Sequence, residues 1–221
     1  MKRVLLVVFA LASALGTATA ASPVGPTEIF KVVTGAYDKV MQDDPATARK
    51  MLRDVLANAR YQDDARGLSL AYVALADIEK FEAAGSPLPF DGTHVGAAGN
   101  KFESVVTGAS TPQALAYLQA AEQQLLRQES PAVQAGDDFA LSALWFEMAS
   151  IYGRVPDTTK LCGALSKSLE FHLLGTSKHP GEPVILFGRP GTSEQFQKVI
   201  EFRKKANQCV GRHASGAEAP K

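Results

Sequence analysis

The sequence has little of what marks a common enzyme or a nucleic-acid-binding protein. Basic and acidic residues stand at 23 each, with no run of like charge. That balance gives no electrostatic case for nucleic acid, whose affinity rests on neutralising phosphates, and no polybasic patch for a membrane surface. None of HExxH, GxSxG, SxxK, GxxxxGK[ST] or GxGxxG occurs, so the strongest signatures of zinc hydrolysis, acyl transfer, phosphate cradling and dinucleotide binding are missing. The four histidines, His94, His172, His179 and His213, show no metal-ligand spacing. No DxDxDG calcium loop is present. The reading is therefore of a chain with no metal, no cofactor and no catalysis.

Long apolar runs are also scarce. Val4 to Leu15, about 12 residues, is the main one, and it is too short to span a hydrocarbon core as a helix. It follows Lys2 and Arg3 and precedes the small residues Ala18-Thr19-Ala20. That order resembles a secretory signal, with Met1–Ala20 removed and a mature chain starting at Ala21. Losing Lys2 and Arg3 takes the basic count from 23 to 21 against 23 acidic residues, a net of about −2. The expectation is one helical domain over 21–211 and a disordered tail over 212–221, in the periplasm or outside the cell.

Two cysteines in an exported chain most simply form a disulfide, here Cys162–Cys209. No CxxC or CxxCH spacing competes with that reading.

What is abundant is helical periodicity. Ile29, Val32, Val33, Ala36, Tyr37 and Val40 mark one apolar face. Ala48, Met51, Leu52, Val55 and Leu56 mark a second helix, and Leu68, Tyr72, Leu75, Ile78 and Phe81 a third. After a turn-rich break over 85–93, a weak helix is expected over 94–107. Thr111-Pro112 opens another, to about Arg127, with a connector over 129–136. Asp137-Asp138 starts the Trp145 helix. Pro156-Asp157 starts the Cys162 helix, to about Leu174, and Ser193–Val210 is the last. The fold class is all-α, about eight helices in stacked antiparallel pairs, either a solenoid or a compact bundle. Three Asp-Asp pairs, 43–44, 63–64 and 137–138, sit at predicted helix starts. Capping of orphan N–H groups explains them better than acid catalysis.

Within ALWFEMASIYGRVPDTTKLCG, residues 143–163, Trp145, Met148, Ala149 and Tyr152 follow the W-x2-L-G-x2-Y spacing of a first tetratricopeptide helix. Pro156 falls where the second helix of such a unit begins. Leu161, Leu165 and Ser168 depart from the second-helix pattern, and Thr111 stands one repeat earlier where a large aromatic is wanted. Ala74, Asp77, Ile78 and Phe81 give a looser echo. Over about 30 residues the chain resembles a divergent tetratricopeptide-type repeat. The resemblance implies a scaffold whose first helices line a concave surface for a protein or peptide partner. On that mapping Trp145, Met148, Ala149 and Tyr152 are core, while Phe146, Ser150, Gly153 and Arg154 face the groove. Phe146 beside Arg154 would be an anchor pair if exposed; the alternative is that Phe146 packs on a neighbouring helix.

Residues 175–192, GTSKHPGEPVILFGRPGT, form the second candidate. Val184, Ile185, Leu186 and Phe187 suggest a short strand, a strap over the helices or a partner-binding edge. Gly188-Arg189-Pro190-Gly191 resembles an anion nest that Pro190 weakens by removing a donor. Three functions remain in play: a partner-binding scaffold, an inhibitor or immunity-type partner of an envelope enzyme, and a small enzyme or ligand carrier using His172, His179 or Arg189 beneath this segment. Glu170 and His172, two residues apart on a helix, point different ways and make a poor acid–base pair.

Overall fold

A computed structural model describes residues 28–85, 110–155, 157–186 and 189–209. The signal segment 1–20, the weak helix expected over 94–107 and the tail 212–221 lie outside the described residues. Those described form an all-helical protein: α1 Glu28–Met41, α2 Pro45–Ala57, α3 Ala65–Ala83, α4 Pro112–Ala135, α5 Asp138–Tyr152, α6 Thr158–Lys178 and α7 Ser193–Ala206. A 3-10 turn, Ala59–Tyr61, follows α2, and a two-stranded ribbon, β1 Val184–Leu186 and β2 Arg189–Gly191, precedes α7.

Most helices begin where the sequence supplies a side-chain acceptor. Asp44 accepts from the Thr47 N–H at 3.1 Å, ahead of Pro45. Asp64 accepts from Gly67 at 2.8 Å, Asp137 from Ala140 at 2.9 Å and Asp157 from Lys160 at 2.9 Å. Thr111 caps α4 ahead of Pro112, and Thr192 forms a reciprocal capping box with Gln195. Each cap is worth about 1 kcal/mol. The Asp-Asp pairs are therefore helix starts, and Asp138, the second member of its pair, turns to Lys178 at 2.6 Å.

Helix α5 packs antiparallel on α6. Asp138 meets Lys178, Ser142 meets Ser168, Lys167 lies 3.8 Å over the Trp145 ring, and Lys160 lies over Tyr152. The two serines exchange hydrogen bonds with each other's backbone carbonyls, at 2.9 and 2.8 Å. Such small residues let the two backbones approach closely. Trp145, Met148, Ala149 and Tyr152 are all buried.

Helix α3 is buried on nearly every side and serves two cores. Leu68, Leu75, Ile78 and Phe81 pack with α1 and α2, whereas Val73 and Ala76 join the cluster of α4 to α7. Alongside α1, a Cβ on Gly67 would come within 2.5 Å of Asp64 Oδ2 and 2.7 Å of Ile29 Cδ1, so a larger residue would force the Asp64 cap or Ile29 to shift. Further along, the Tyr37 hydroxyl reaches Asp77 at 2.7 Å. On the other side Arg66 pairs with Glu147 and Asp77 with Arg154. Residue numbers rise together across all three helices, so α1, α3 and α5 run parallel in one layer.

Two boundaries differ from the expected ones. Helix α4 continues past Arg127 through Pro131 and ends at Gly136, whose φ of 65° suits a glycine C-cap. Pro131 removes one helical donor near the end, where few bonds remain to lose. Helix α6 runs to Lys178, and the rest of the 175–192 segment is the antiparallel ribbon, with Val184 opposite Gly191. Arg189–Gly191, part of the stretch that resembles an anion nest, is the second strand of this ribbon.

Cys162 and Cys209 are bonded, with a sequence separation of 47, and tie the end of α7 to α6. Replacing both with alanine is expected to lower the unfolding free energy by about 2–4 kcal/mol. Urea melts read the change, and hydrogen exchange should show the loss concentrated in α7. An unchanged midpoint would contradict a stabilising staple.

Candidate functional site

The parallel layer of α1, α3 and α5 encloses a groove with a cavity volume of ≈ 460 Å³. Helical spacing explains its lining. Phe30, Val33, Thr34, Tyr37 and Asp38 form one stripe of α1. Ser69, Leu70 and Val73 form the floor from α3, and Glu147, Ser150, Ile151 and Arg154 form the far wall from α5. All three sets recur at three- and four-residue intervals, which puts each on one helix face. The groove is thus apolar along its length, with polar groups at the walls.

Behind two of its lining residues, Tyr37 and Arg154, lies Asp77, which is fully buried. The carboxylate accepts from the Tyr37 hydroxyl at 2.7 Å and from Arg154 Nε and Nη2 at 2.8 and 2.9 Å. One side chain from each inner helix meets here. A buried carboxylate is tolerable only when its oxygens are paired in this way. Burial, then the neighbouring Asp77, pushes the Tyr37 phenol well above its ordinary range, so it stays a donor. Next to this network, Lys80 is buried and donates to the Arg154 carbonyl, which also accepts from Ser110 Oγ at 3.3 Å. Higher on the wall Glu147 pairs with Arg66. Burial raises its carboxyl pKa, and the Arg66 charge opposes that.

Ser150 and Arg154 therefore line a groove, as the sequence mapping expected, but Arg154 is not a free anchor. Its guanidinium is committed to Asp77 and, through Nη1, to the Ser150 carbonyl at 2.9 Å. Phe146, one turn before Ser150, does not line the groove. It is half-buried, 5.4 Å from the Phe196 ring of α7, and Arg203 covers it at 4.8 Å. Helix α7 occupies the space that the resemblance left open to a partner, so the exposed Phe146–Arg154 pair is corrected.

The second candidate is described only in part, because the Arg189 side chain lies outside the described residues. Val184 packs at the edge of the core, and the backbones of Ile185, Leu186 and Arg189 build the ribbon, while Phe187 lies outside the described residues. His172 is fully buried and its Nε2 meets Ser193 Oγ at 2.7 Å. His179 is exposed at the end of α6. The Phe139 ring stands beside both, 5.9 Å from His172 and 6.5 Å from His179. It fits because a Cβ on Gly175 would sit 3.0 Å from it. Glu170 is exposed, on a different face from His172. Among the described residues, no group of three His, Cys, Asp or Glu could hold a metal, and no helix is long and apolar enough to cross a membrane.

Sequence reasoning missed Tyr37, Asp77 and Arg203 as site-forming residues. Asp77 carried a usable signal: it is the only carboxylate between Ala65 and Ile78 in a helix otherwise apolar nearly all round. No periodicity could have found Arg203, because its partners are on a helix some fifty positions away. No family model, curated protein or solved structure matches this chain.

Two outcomes test this geometry. Arg154→Ala leaves Asp77 buried without its cation and is expected to cost about 3–5 kcal/mol. Asp77→Leu combined with Arg154→Met should recover most of that loss; a double variant as unstable as the single would refute the pairing argument. The second concerns acid. Burial lowers the His172 pKa, so the folded protein keeps it neutral where the unfolded chain would protonate it. That stability is intact above about pH 6.5 and declines as pH falls below it. Melting temperatures of the wild type should fall more steeply than those of His172→Gln between about pH 7 and pH 5; parallel curves would contradict it.

Proposed function

We propose that this chain is an exported, non-catalytic helical scaffold of divergent tetratricopeptide type that holds a segment of a protein partner in the α1–α3–α5 groove. The observation that carries the reading is the groove itself. Three parallel inner helices present apolar side chains, Val33, Leu70, Val73 and Ile151 among them, to this cavity. A cavity of ≈ 460 Å³ accommodates a few side chains of an extended segment. The outer helices α2, α4 and α6 back this layer, as the second helices of stacked pairs do in a solenoid. Export is supported by the signal-like segment 1–20 and by the Cys162–Cys209 disulfide, a bond uncommon in reducing compartments.

The enzyme reading gains no support from geometry, because His172 is sealed in the core and paired to Ser193. An inhibitor role is a narrower form of the same scaffold and would use the same groove.

The test is to pan displayed random peptides against the mature protein and measure the affinity of enriched sequences by fluorescence polarisation. Thr34→Arg and Leu70→Arg put charge into the groove without emptying the core. Each is expected to weaken binding at least about tenfold, about 1.4 kcal/mol. Val133→Ser, on exposed α4 surface, should leave it unchanged. No enrichment, or equal affinity in the groove variants, would overturn the proposal.

A further inference from the structure

Helix α7 ends in three basic residues, Arg203, Lys204 and Lys205. The simplest role for such a cluster is to complement the negative end of the helix dipole, which a solvated side chain does as well as any other. Lys204 fits that account, reaching Ser166 Oγ at 3.2 Å. Arg203 does not. It folds back onto α5, lays its guanidinium over the Phe146 ring and donates from Nη1 to Ser150 Oγ at 3.2 Å.

This position leaves the cation poorly compensated. A guanidinium carries five donors in a fixed fork, and among the described residues Arg203 makes one hydrogen bond, to a neutral hydroxyl. It forms no ion pair there. Its charged neighbour is another cation, Arg154, which binds the carbonyl of the same Ser150. Burial and then Arg154 both lower the Arg203 pKa, the sign of a charge short of a counter-ion. The contrast with Arg154 is direct, since Arg154 has its carboxylate in Asp77. Arg203 also lies next to the groove, because Ser150 and Arg154 are both part of its wall.

We propose that Arg203, held on Phe146 and beside Ser150, is the recognition point for an Asp or Glu side chain of the segment bound in the groove. The inference rests on the groove reading above and adds the chemistry of the partner: apolar residues for the floor formed by Leu70 and Val73, then a carboxylate at the α5 edge. A carboxylate matches the guanidinium fork, whose other donors make no hydrogen bond among the described residues, and Phe146 beneath keeps that fork oriented. Arg203 accordingly sets which segments bind, while the apolar walls give the contact area.

The experiment uses the peptides enriched on the mature protein, synthesised with amidated C-termini so that only side chains supply negative charge. Enriched sequences should share an Asp or Glu at a fixed distance from an apolar pair. Changing that residue to Asn or Gln should weaken wild-type binding about tenfold and leave Arg203→Gln binding nearly unchanged. Arg203→Lys, which keeps the charge but loses the fork, should fall between the two. Thermal melts of both variants within a few degrees of the wild type show that α7 stays docked, and Phe196 and Ile200 hold it independently of Arg203. Enriched peptides without an acidic position, or an equal loss on neutralisation in wild type and Arg203→Gln, would overturn the proposal and leave the groove reading standing. No enrichment at all would overturn both.

Discussion

The arrangement of this protein depends on one buried carboxylate. Asp77 is fully buried in the central helix, and three hydrogen bonds, from Tyr37 of α1 and from Arg154 in the turn after α5, converge on it. Taking such a group out of water costs several kcal/mol unless its oxygens are well paired. Only one relative placement of α1, α3 and α5 supplies Tyr37 and Arg154 together. Apolar contacts favour compactness but tolerate sliding, whereas this junction fixes register. Gly67 adds a second close contact at the other end of the α1–α3 crossing, where a side chain would displace Ile29 or the Asp64 cap.

The two points make the groove a rigid feature. Its floor belongs to α3, the helix shared by both hydrophobic clusters, so it cannot shift without disturbing each of them. A segment bound there, as proposed above, would meet walls already in place, and little of its binding energy would go to ordering them. Specificity then lies with the polar groups at the edges. Most of these are already matched within the protein: Glu147 with Arg66, Arg154 with Asp77, and Tyr37 with Asp77.

Much of the fold was legible in the sequence because its signals were local. Caps at Asp44, Asp64, Thr111, Asp137 and Asp157 marked most helix starts, and the stripes of α1 and α2 gave their buried faces. The cysteine count gave the disulfide. The departure of Ser168 from the tetratricopeptide pattern has a physical reason: with Ser142 it forms a reciprocal hydrogen-bonded contact in place of a large–small apolar one. The groove was half legible. The tetratricopeptide resemblance implied a groove face for Ser150 and Arg154, but the mates of Arg154 and Phe146 come from α3 and α7, distant in sequence. Phe146 in particular could not be judged, because nothing local reveals that α7 returns to cover it. The ribbon at 184–191 was equally ambiguous, since a short apolar run reads the same as strand or strap.

The covalent bond between Cys162 and Cys209 has an effect on the shape of the molecule's end. Helix α7 has 14 residues and buries only Phe196 and Ile200 along its length, a slender hold for an element that also carries Arg203. The bond closes the far end of that helix onto α6. It thereby fixes α7 in its place against α5 and α6, where Phe196 meets Phe146. A chain folded under reducing conditions would keep its floor and walls but lose the lock on that helix. In such a molecule the difference between an oxidised and a reduced form falls on the end of the groove and hardly on its middle.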